Sequence, residues 1–251
     1  MGKVRVYLCI SVIVGVLFMG AGSAMAAPLK TNLFGLDGLF MATGGSVIPA
    51  GTLAVGGSAL ILNDDNGDIT SVPVTVTYGV SAKVEIAAAF EMYKSVDISG
   101  GSDDTGTGDL YLAAKYALQE ENADYPATAV GLRLKLPMAN DPLSSEESDV
   151  AIFGAAELDM KGVRGILNVE YLMPGGDAEN RVIYVVGVGI PYSDSTEFTL
   201  EIMDQDLVGD LFAAGATFDM GTSLNFGVAV GFGLNDFSAD SAVMGKLTFT
   251  F

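Results

Sequence analysis

Apolar and polar residues alternate through most of this chain, in short segments separated by turn-forming residues. Successive side chains of a β-strand point to opposite faces, so this alternation predicts strands with one apolar and one polar face. No stretch has a comparable helical period, and we expect an all-β protein. The predicted segments, about twelve in number, are 50–62, 70–79, 82–93, 108–118, 126–137, 149–159, 163–173, 181–191, 196–204, 210–219, 222–234 and 240–251.

The connections between these segments alternate in character. Those after Asn63, Tyr93, Met138, Pro174, Asp204 and Asn235 are polar and acidic, whereas those near 80–81, 161–162, 192–193 and 221 are short. The connection 119–125 is longer and acidic, but an even strand number places it with the short ones. Short turns on one side and longer loops on the other are typical of a transmembrane up-and-down antiparallel β-barrel. We expect about 12 strands, and 10 or 14 also fit.

The two faces of the predicted strands differ in polarity. In the third to fifth strands, one parity is apolar, for example at Ile86, Leu112 and Leu132, and would face lipid. Lys or Arg facing lipid at the midplane would cost about 2–4 kcal/mol, so the opposite parity should line the lumen. The predicted lumen-lining residues, with a possible role in selectivity, are Lys83, Glu85, Glu91, Asp109, Lys115, Arg133, Lys135, Glu157, Asp159, Arg164, Glu170, Glu197, Glu201 and Lys246. Candidates for an apolar lipid-facing belt are Phe90, Phe153, Phe198, Phe218 and Phe226.

The last segment ends the chain on an aromatic residue. Val243, Leu247, Phe249 and Phe251 share one face, and Lys246, Thr248 and Thr250 share the other. One face suits hydrocarbon and the other suits water, which excludes an ordinary core strand. The pattern resembles the closing strand of bacterial outer-membrane barrels, and that resemblance implies that Leu247, Phe249 and Phe251 form the C-terminal signal read by the barrel-assembly machinery. A soluble β-sandwich would also alternate, but it explains neither this terminus nor the small residues on the polar face.

The amino terminus has the layout of a secretory signal peptide. Lys3 and Arg5 precede an apolar stretch and the small residues Ala24 to Ala26, so residues 1–26 are predicted to be removed. The only cysteine, Cys9, lies in that part, and a disulfide framework is therefore not expected. Residues 50–251 would form the barrel. Residues 27–49 are compatible with a short plug, a periplasmic arm or an extra edge strand.

The predicted mature chain is strongly acidic. After residue 26 there are 10 Lys and Arg against 31 Asp and Glu, a formal charge of −21. Such a field repels nucleic acid and favours cations and neutral solutes over anions. Acidic stretches such as 63–68 and 100–109 lack the spacing of a calcium loop and are interpreted as solvated loops. Divalent ions could bridge these loops to lipopolysaccharide phosphates.

The amino-acid sequence gives little support for a catalytic function. The sequence contains no His, which removes the usual general base and the commonest metal ligand. Glu157 with Asp159, or Glu197 with Glu201, could act as paired carboxylates. Lumen charges balanced by basic residues such as Arg133 and Arg164 explain these pairs better. We therefore predict no enzyme, no catalytic residue, no metal and no cofactor.

Two functions remain open from these residues. The first is a channel for passive passage of small solutes, which small inward residues favour by leaving space; they are Ala87, Ala89, Gly131, Gly187, Gly189, Gly227, Gly231 and Gly233. The second is a barrel closed by its own salt bridges that serves as a structural or surface-binding protein. Strand number does not decide, because twelve lies between filled eight-strand barrels and open porins.

Four stretches resemble one family. They are 48–53, 77–86, 106–116 and 126–137, the last reading PATAVGLRLKLP. They are similar to the outer-membrane transporters named after the MetA pathway of phenol degradation, over roughly the first half of the mature chain. The resemblance implies a medium-sized barrel that passes small, often aromatic or otherwise hydrophobic, solutes, and it transfers no catalytic residue. Met138-Ala139 departs from the Gly that the family commonly has after this proline.

Overall fold

The computed structural model describes residues 29–99, 101, 103–122, 125–139, 143–144, 147–204, 210–235 and 238–251. The predicted signal peptide and Cys9 lie outside these ranges, as do parts of five connections between strands. The strands are β1 Leu53–Asp64, β2 Gly67–Ser81, β3 Val84–Ile98, β4 Asp104–Gly106, β5 Leu110–Gln119, β6 Ala127–Leu136, β7 Asp149–Met160, β8 Val163–Met173, β9 Arg181–Ser193, β10 Thr196–Asp204, β11 Leu211–Met220, β12 Leu224–Gly233 and β13 Ser241–Thr250.

These strands form one closed antiparallel barrel. Apart from the short β4, each strand pairs with the strands before and after it, so β3 pairs with β5, and β1 pairs with β13 from Ala54 opposite Thr250 to Asn63 opposite Ser241. The short β4 extends only the far end of β3, so the ring itself contains twelve of the thirteen strands. Closure leaves no unpaired edge in lipid, where no water could satisfy its backbone groups. The predicted twelve-strand barrel is confirmed.

The connections follow the predicted alternation with one difference in length. β1 and β2 are joined by only two residues, 65 and 66, because both strands continue further than the alternation indicated. The acidic residues that we expected in a loop lie within the paired strands instead, because Asp64 pairs with Gly67 and Asn63 pairs with Asp68. We call the end of the barrel near the chain termini the inner end and the opposite end the outer end.

The outer surface of the wall is apolar, as predicted. Ile86, Leu132, Val186 and Phe232 are 43%, 41%, 48% and 53% exposed, respectively. An exposed apolar band around a closed cylinder is covered by hydrocarbon in a bilayer. One aromatic residue was assigned to the wrong face: Phe153 is only 3% exposed, because it shares the parity of the inward Ala151 and Glu157. No helix in the described ranges is long and apolar enough to span a membrane.

Residues 29–52 are here called the N-terminal segment, and they lie inside the barrel except at Ser46 and at 49–51, which are exposed. Leu36, Leu39 and Phe40 have no exposed surface. Phe40 packs in a cluster with residues of β11, β12 and β13, and Leu39 in another with residues of β8 and β9. Leu36 packs with Phe153 and Ala87 on a third side. Contacts on several sides of the ring give the barrel a core that its wall alone does not supply.

We predict that Leu132→Arg destabilises the barrel. Leu132 lies in the middle of β6 with its side chain outward, so an arginine there would meet acyl chains. The free energy of unfolding should fall by about 2–4 kcal/mol relative to Leu132→Ala. Equilibrium unfolding in phospholipid bilayers measures this difference, and equal stabilities of the two variants would contradict an outward, lipid-facing Leu132.

Candidate functional site

The barrel interior holds almost all of the charged residues predicted to line the lumen, and one of them anchors the centre of the N-terminal segment. The Glu201 carboxylate on β10 accepts hydrogen bonds from the backbone N–H groups of Phe40, Met41 and Ala42 at 2.9, 2.8 and 2.8 Å. Glu201 is 1% exposed. A buried carboxylate requires such donors, and these backbone N–H groups have no strand partner. The side chain therefore acts as a clamp on the turn at residues 40–42.

Lys246 on β13 holds residues next to the same turn. Its ammonium donates to the carbonyl oxygens of Thr31 and Leu39, both at 2.8 Å. It also lies 4.5 Å from the centroid of the Phe40 ring, within the range of a cation–π contact. The charge of Lys246 made an ordinary core strand implausible in the sequence. In the structure this ammonium donates hydrogen bonds to backbone carbonyls inside the barrel.

A buried ion pair on β3 and β5 holds another part of the N-terminal segment. Glu85 and Lys115 lie 3.5 Å apart, and neither side chain is exposed. Glu85 also accepts from the backbone N–H groups of Asp37 at 3.0 Å and Ile48 at 2.9 Å. The pair ties the two ends of the turn-containing stretch to one side of the wall.

A second cluster of charges lies toward the inner end. Arg164 bridges Glu157 at 3.4 Å and Glu197 at 3.1 Å, and Glu197 also contacts Lys30 at 3.4 Å. Glu157 accepts a hydrogen bond from the backbone of Ser46 at 3.3 Å. These carboxylates are engaged by basic side chains and by the N-terminal segment, as expected for balanced lumen charges.

The outer half of the interior carries a further set of ion pairs. Arg133 contacts Glu170 at 2.9 Å, and Lys135 contacts Asp149 at 2.9 Å. Glu91 accepts from the Ser71 hydroxyl at 2.6 Å and lies 3.5 Å from Lys94.

Asp109 uses its carboxylate mainly to fix the connection that follows β6. It accepts from the backbone of Met138 at 3.1 Å and from the Ser144 hydroxyl at 2.9 Å. It also lies 4.0 Å from Lys135. This residue therefore shapes the outer mouth.

A cavity of about 430 Å³ lies between the N-terminal segment and this outer half. Phe34, Phe40 and Met41 form its floor, and the wall contributes Tyr111, Arg133 and Met203, among others. Its volume lies within the range of small-molecule sites, about 300–1,000 Å³. The candidate functional site is this cavity together with the segment beneath it.

Two predicted lumen residues are not in the interior. Lys83 is exposed in the two-residue turn between β2 and β3, because β2 continues to Ser81. Asp159 has inward parity but lies near the inner end of β7, where it is exposed and accepts from the backbone of Gly162. Both predictions were wrong because a side chain that follows the inward alternation is enclosed only away from the strand ends.

The small inward residues do not leave an open path. A Cβ atom added to Gly187 would lie 2.7 Å from Leu39, and one added to Gly227 would lie 2.9 Å from Phe40. Gly131 likewise leaves room for the Phe153 ring. The absent side chains accommodate the N-terminal segment and an inward aromatic ring, so the interpretation of these positions as free space was wrong.

Sequence reasoning missed two basic residues of the cavity. Lys94 points inward because the pairing of β2 and β3 shifts between Val72 and Pro73, which leaves Met92 unpaired and reverses the parity beyond it. A β-bulge of this kind is invisible to simple alternation; the proline opposite was the available signal. Arg181 shares the parity of the inward Ile183 and Val185, and was overlooked because it begins its strand.

The acidic connections show no metal site in the described ranges. No group of three or more acidic side chains there is arranged to hold a metal ion. The exposed acidic residues are consistent with solvated loops.

Comparisons with known proteins identify the fold. No protein-family description matches the sequence, and no curated protein is similar to it in sequence. An outer-membrane channel from Pseudomonas putida F1 is similar in structure, with a TM-score of 0.62 and 13% identity over 82% of this chain and 97% of that one. The KdgM porin gives a TM-score of 0.55 and 9% identity over 79% and 99%. The same porin in complex with disordered oligogalacturonate gives 0.54 and 8% over 80% and 99%. The chain therefore has the fold of an outer-membrane β-barrel.

Proposed function

We propose that the protein is an outer-membrane channel for the passive passage of small solutes, and that the N-terminal segment must shift for a solute to pass. The observation that carries this proposal is the cavity of about 430 Å³ whose floor is a non-strand segment. Hydrogen bonds and ion pairs hold that segment, whereas the wall is a continuous hydrogen-bonded ladder. The floor can therefore move without breaking the barrel.

We also propose that the solutes are small aromatic or otherwise hydrophobic compounds. The resemblance to the transporters of the MetA pathway of phenol degradation supports this, as does an apolar cavity floor that includes Phe34 and Phe40. The structural neighbours described as a channel and a porin support passage in general. On the basis of the same resemblance, we propose that the protein belongs to that transporter family.

The filled interior favours one alternative, a structural or surface-binding barrel without transport. Glu201, Lys246 and Glu85 fix the segment at several points, and such a network could keep the lumen closed permanently. The two functions differ in one measurable property, which is whether the N-terminal segment leaves its position.

The proposed surroundings are outer-membrane lipid and lipopolysaccharide, with the barrel-assembly machinery as a partner during biogenesis. Leu247, Phe249 and Phe251 lie on the outward parity of β13, away from the buried Lys246, Thr248 and Thr250. That position leaves the terminal apolar face available to an assembly factor before lipid covers it.

A disulfide between the N-terminal segment and the wall should close the channel. A Cβ atom at Gly187 would lie 3.3 Å from that of Ala42, near the 3.5–4.5 Å of a disulfide. In the Ala42→Cys, Gly187→Cys double variant, oxidation should abolish single-channel conductance in planar bilayers, and a reductant should restore it. The chain without its signal peptide has no other cysteine.

The matched control is Gly187→Cys alone, which has the same contact of the new side chain with Leu39 but cannot form the link, and it should conduct equally under both conditions. Unchanged conductance of the fully cross-linked protein would contradict movement of the segment. Absence of conductance in wild-type protein and in the reduced variant alike would favour the structural alternative.

Weakening the Glu201 clamp should have the opposite effect. Hydrogen bonds to a charged group contribute about 1.5–3 kcal/mol each, so Glu201→Gln should raise the open fraction roughly tenfold or more. Single-channel recording measures this fraction. Glu120→Gln removes the same charge at an exposed position after β5 and should leave the open fraction unchanged; an equal rise in both variants would attribute the effect to net charge instead of the clamp.

A further inference from the structure

We infer that the cavity above the N-terminal segment binds small organic carboxylates that carry an apolar body. This inference deepens the proposed function, on which it rests for passage but not for binding. It assigns a chemical class to the ligand and separate roles to the two sides of the cavity.

The cavity has two unlike walls. From β9 through β13 to β1 its lining is apolar and includes Val185, Met203, Leu211, Met244 and Leu60. From β3 to the start of β9 its lining is charged, with the basic side chains of Lys94, Arg133, Lys135 and Arg181 and the acidic side chains of Glu91, Asp149 and Glu170. A ligand that contacts both walls must have an apolar part and a polar or charged part, and the pairing of these charges decides which.

Arg133 is held rigidly in the basic wall. Its guanidinium lies 5.8 Å from the centroid of the Phe34 ring and 5.7 Å from that of Phe153, and one terminal nitrogen donates to Glu170 at 2.9 Å. Its Nε atom is buried and has no hydrogen-bond partner. A guanidinium fixed in this way can donate hydrogen bonds to the oxygen of a ligand through its terminal N–H groups.

Arg181 lies in register with Arg133, three strands further along the wall. Across the paired strands, Arg133 lies opposite Ala151, Ala151 lies opposite Leu172, and Leu172 lies opposite Arg181. Three strand spacings separate the two arginines, about 14 Å along the wall, and both long side chains point inward. Among the described residues no carboxylate lies within 4.0 Å of the Arg181 guanidinium, and its buried Nε also lacks a partner.

The donors left over favour a carboxylate. The ion pairs Lys94–Glu91, Lys135–Asp149 and Arg133–Glu170 match three of the four basic side chains with acids. Asp109, 4.0 Å from Lys135, is a fourth acid of this region, so the four bases are balanced in number. Arg181 is nevertheless the one basic side chain of the four that contacts no acid among the described residues. A carboxylate is the anion whose planar pair of oxygens fits a guanidinium. A neutral ligand would leave these donors unmet, and a highly polar one would leave the apolar wall without contacts.

The overall negative charge of the protein does not oppose this assignment at short range. Electrostatic interactions in solution are screened over about 8 Å at physiological ionic strength. The exposed acidic loops therefore act on the approach of an anion, while Arg133 and Arg181 act inside the cavity. The preference for cations that the sequence predicts therefore applies to the approach of a solute to the barrel and not to binding inside the cavity.

Calorimetric titration of the purified full-length mature protein in detergent tests the inference. The probes are 3-phenylpropanoate and its neutral isostere 3-phenylpropanamide, which differ in the charged group alone. We expect the carboxylate to bind at least tenfold more tightly than the amide. Equal affinities, or no binding of either probe, would overturn the inference.

Three variants test which residues cause the carboxylate preference. Arg181→Gln should reduce the carboxylate preference to about onefold, whereas Lys83→Gln removes the same charge from an exposed turn outside the cavity and should preserve the preference. Met203→Gln on the apolar wall should weaken both probes equally. A preference that survives Arg181→Gln in protein retaining the heat-modifiable gel mobility of a folded barrel would overturn the assignment.

The experiments can contradict carboxylate binding and solute passage independently of each other. A protein that conducts ions but does not distinguish the two probes would refute this inference and leave the proposed channel intact. A protein that prefers the carboxylate yet never conducts, with or without the Ala42–Gly187 link, would support the inference and refute the channel.

Discussion

A twelve-strand barrel is wider than its own inward side chains can fill, and this geometric constraint determines the rest of the interior. Eight strands close around a packed core, and sixteen or more leave an aqueous pore. Here the gap is filled by the chain's own N-terminal segment, whose Leu36, Leu39 and Phe40 supply the missing apolar volume. The glycines of the wall leave room for that segment, the buried acids hold its backbone, and the cavity is the space that the segment leaves unfilled.

The irregular backbone of the segment explains why the interior is so highly charged. A buried loop has N–H and C=O groups without strand partners, and leaving them unsatisfied is costly. Glu201 and Glu85 accept from such N–H groups, and Lys246 donates to such carbonyls. Inward charge, which from sequence alone is typical of a wet pore, serves here to satisfy buried backbone groups.

The sequence predicted the wall well because the wall obeys a local rule. Alternation of side chains is visible within each segment, and it placed Ile86 and Leu132 outward and Arg133 inward. It failed where the rule is interrupted: the bulge at Met92 turned Lys94 inward, and the strand end left Lys83 exposed. The cavity could not be predicted because its floor depends on contacts over long separations, such as that between Phe40 and Glu201, for which a single sequence contains no periodic signal.

The two ends of the described chain meet at the inner end of the barrel. The backbone N–H of Leu29 donates to Thr250 at 3.0 Å, and the hydroxyl groups of Thr31 and Thr248 lie 2.8 Å apart. β13 thus both closes the ring against β1 and provides the seat for the earliest residues of the described chain. A barrel without β13 would have neither a sealed wall nor the contacts of Lys246 that hold the cavity floor, so formation of the interior is coupled to closure of the ring.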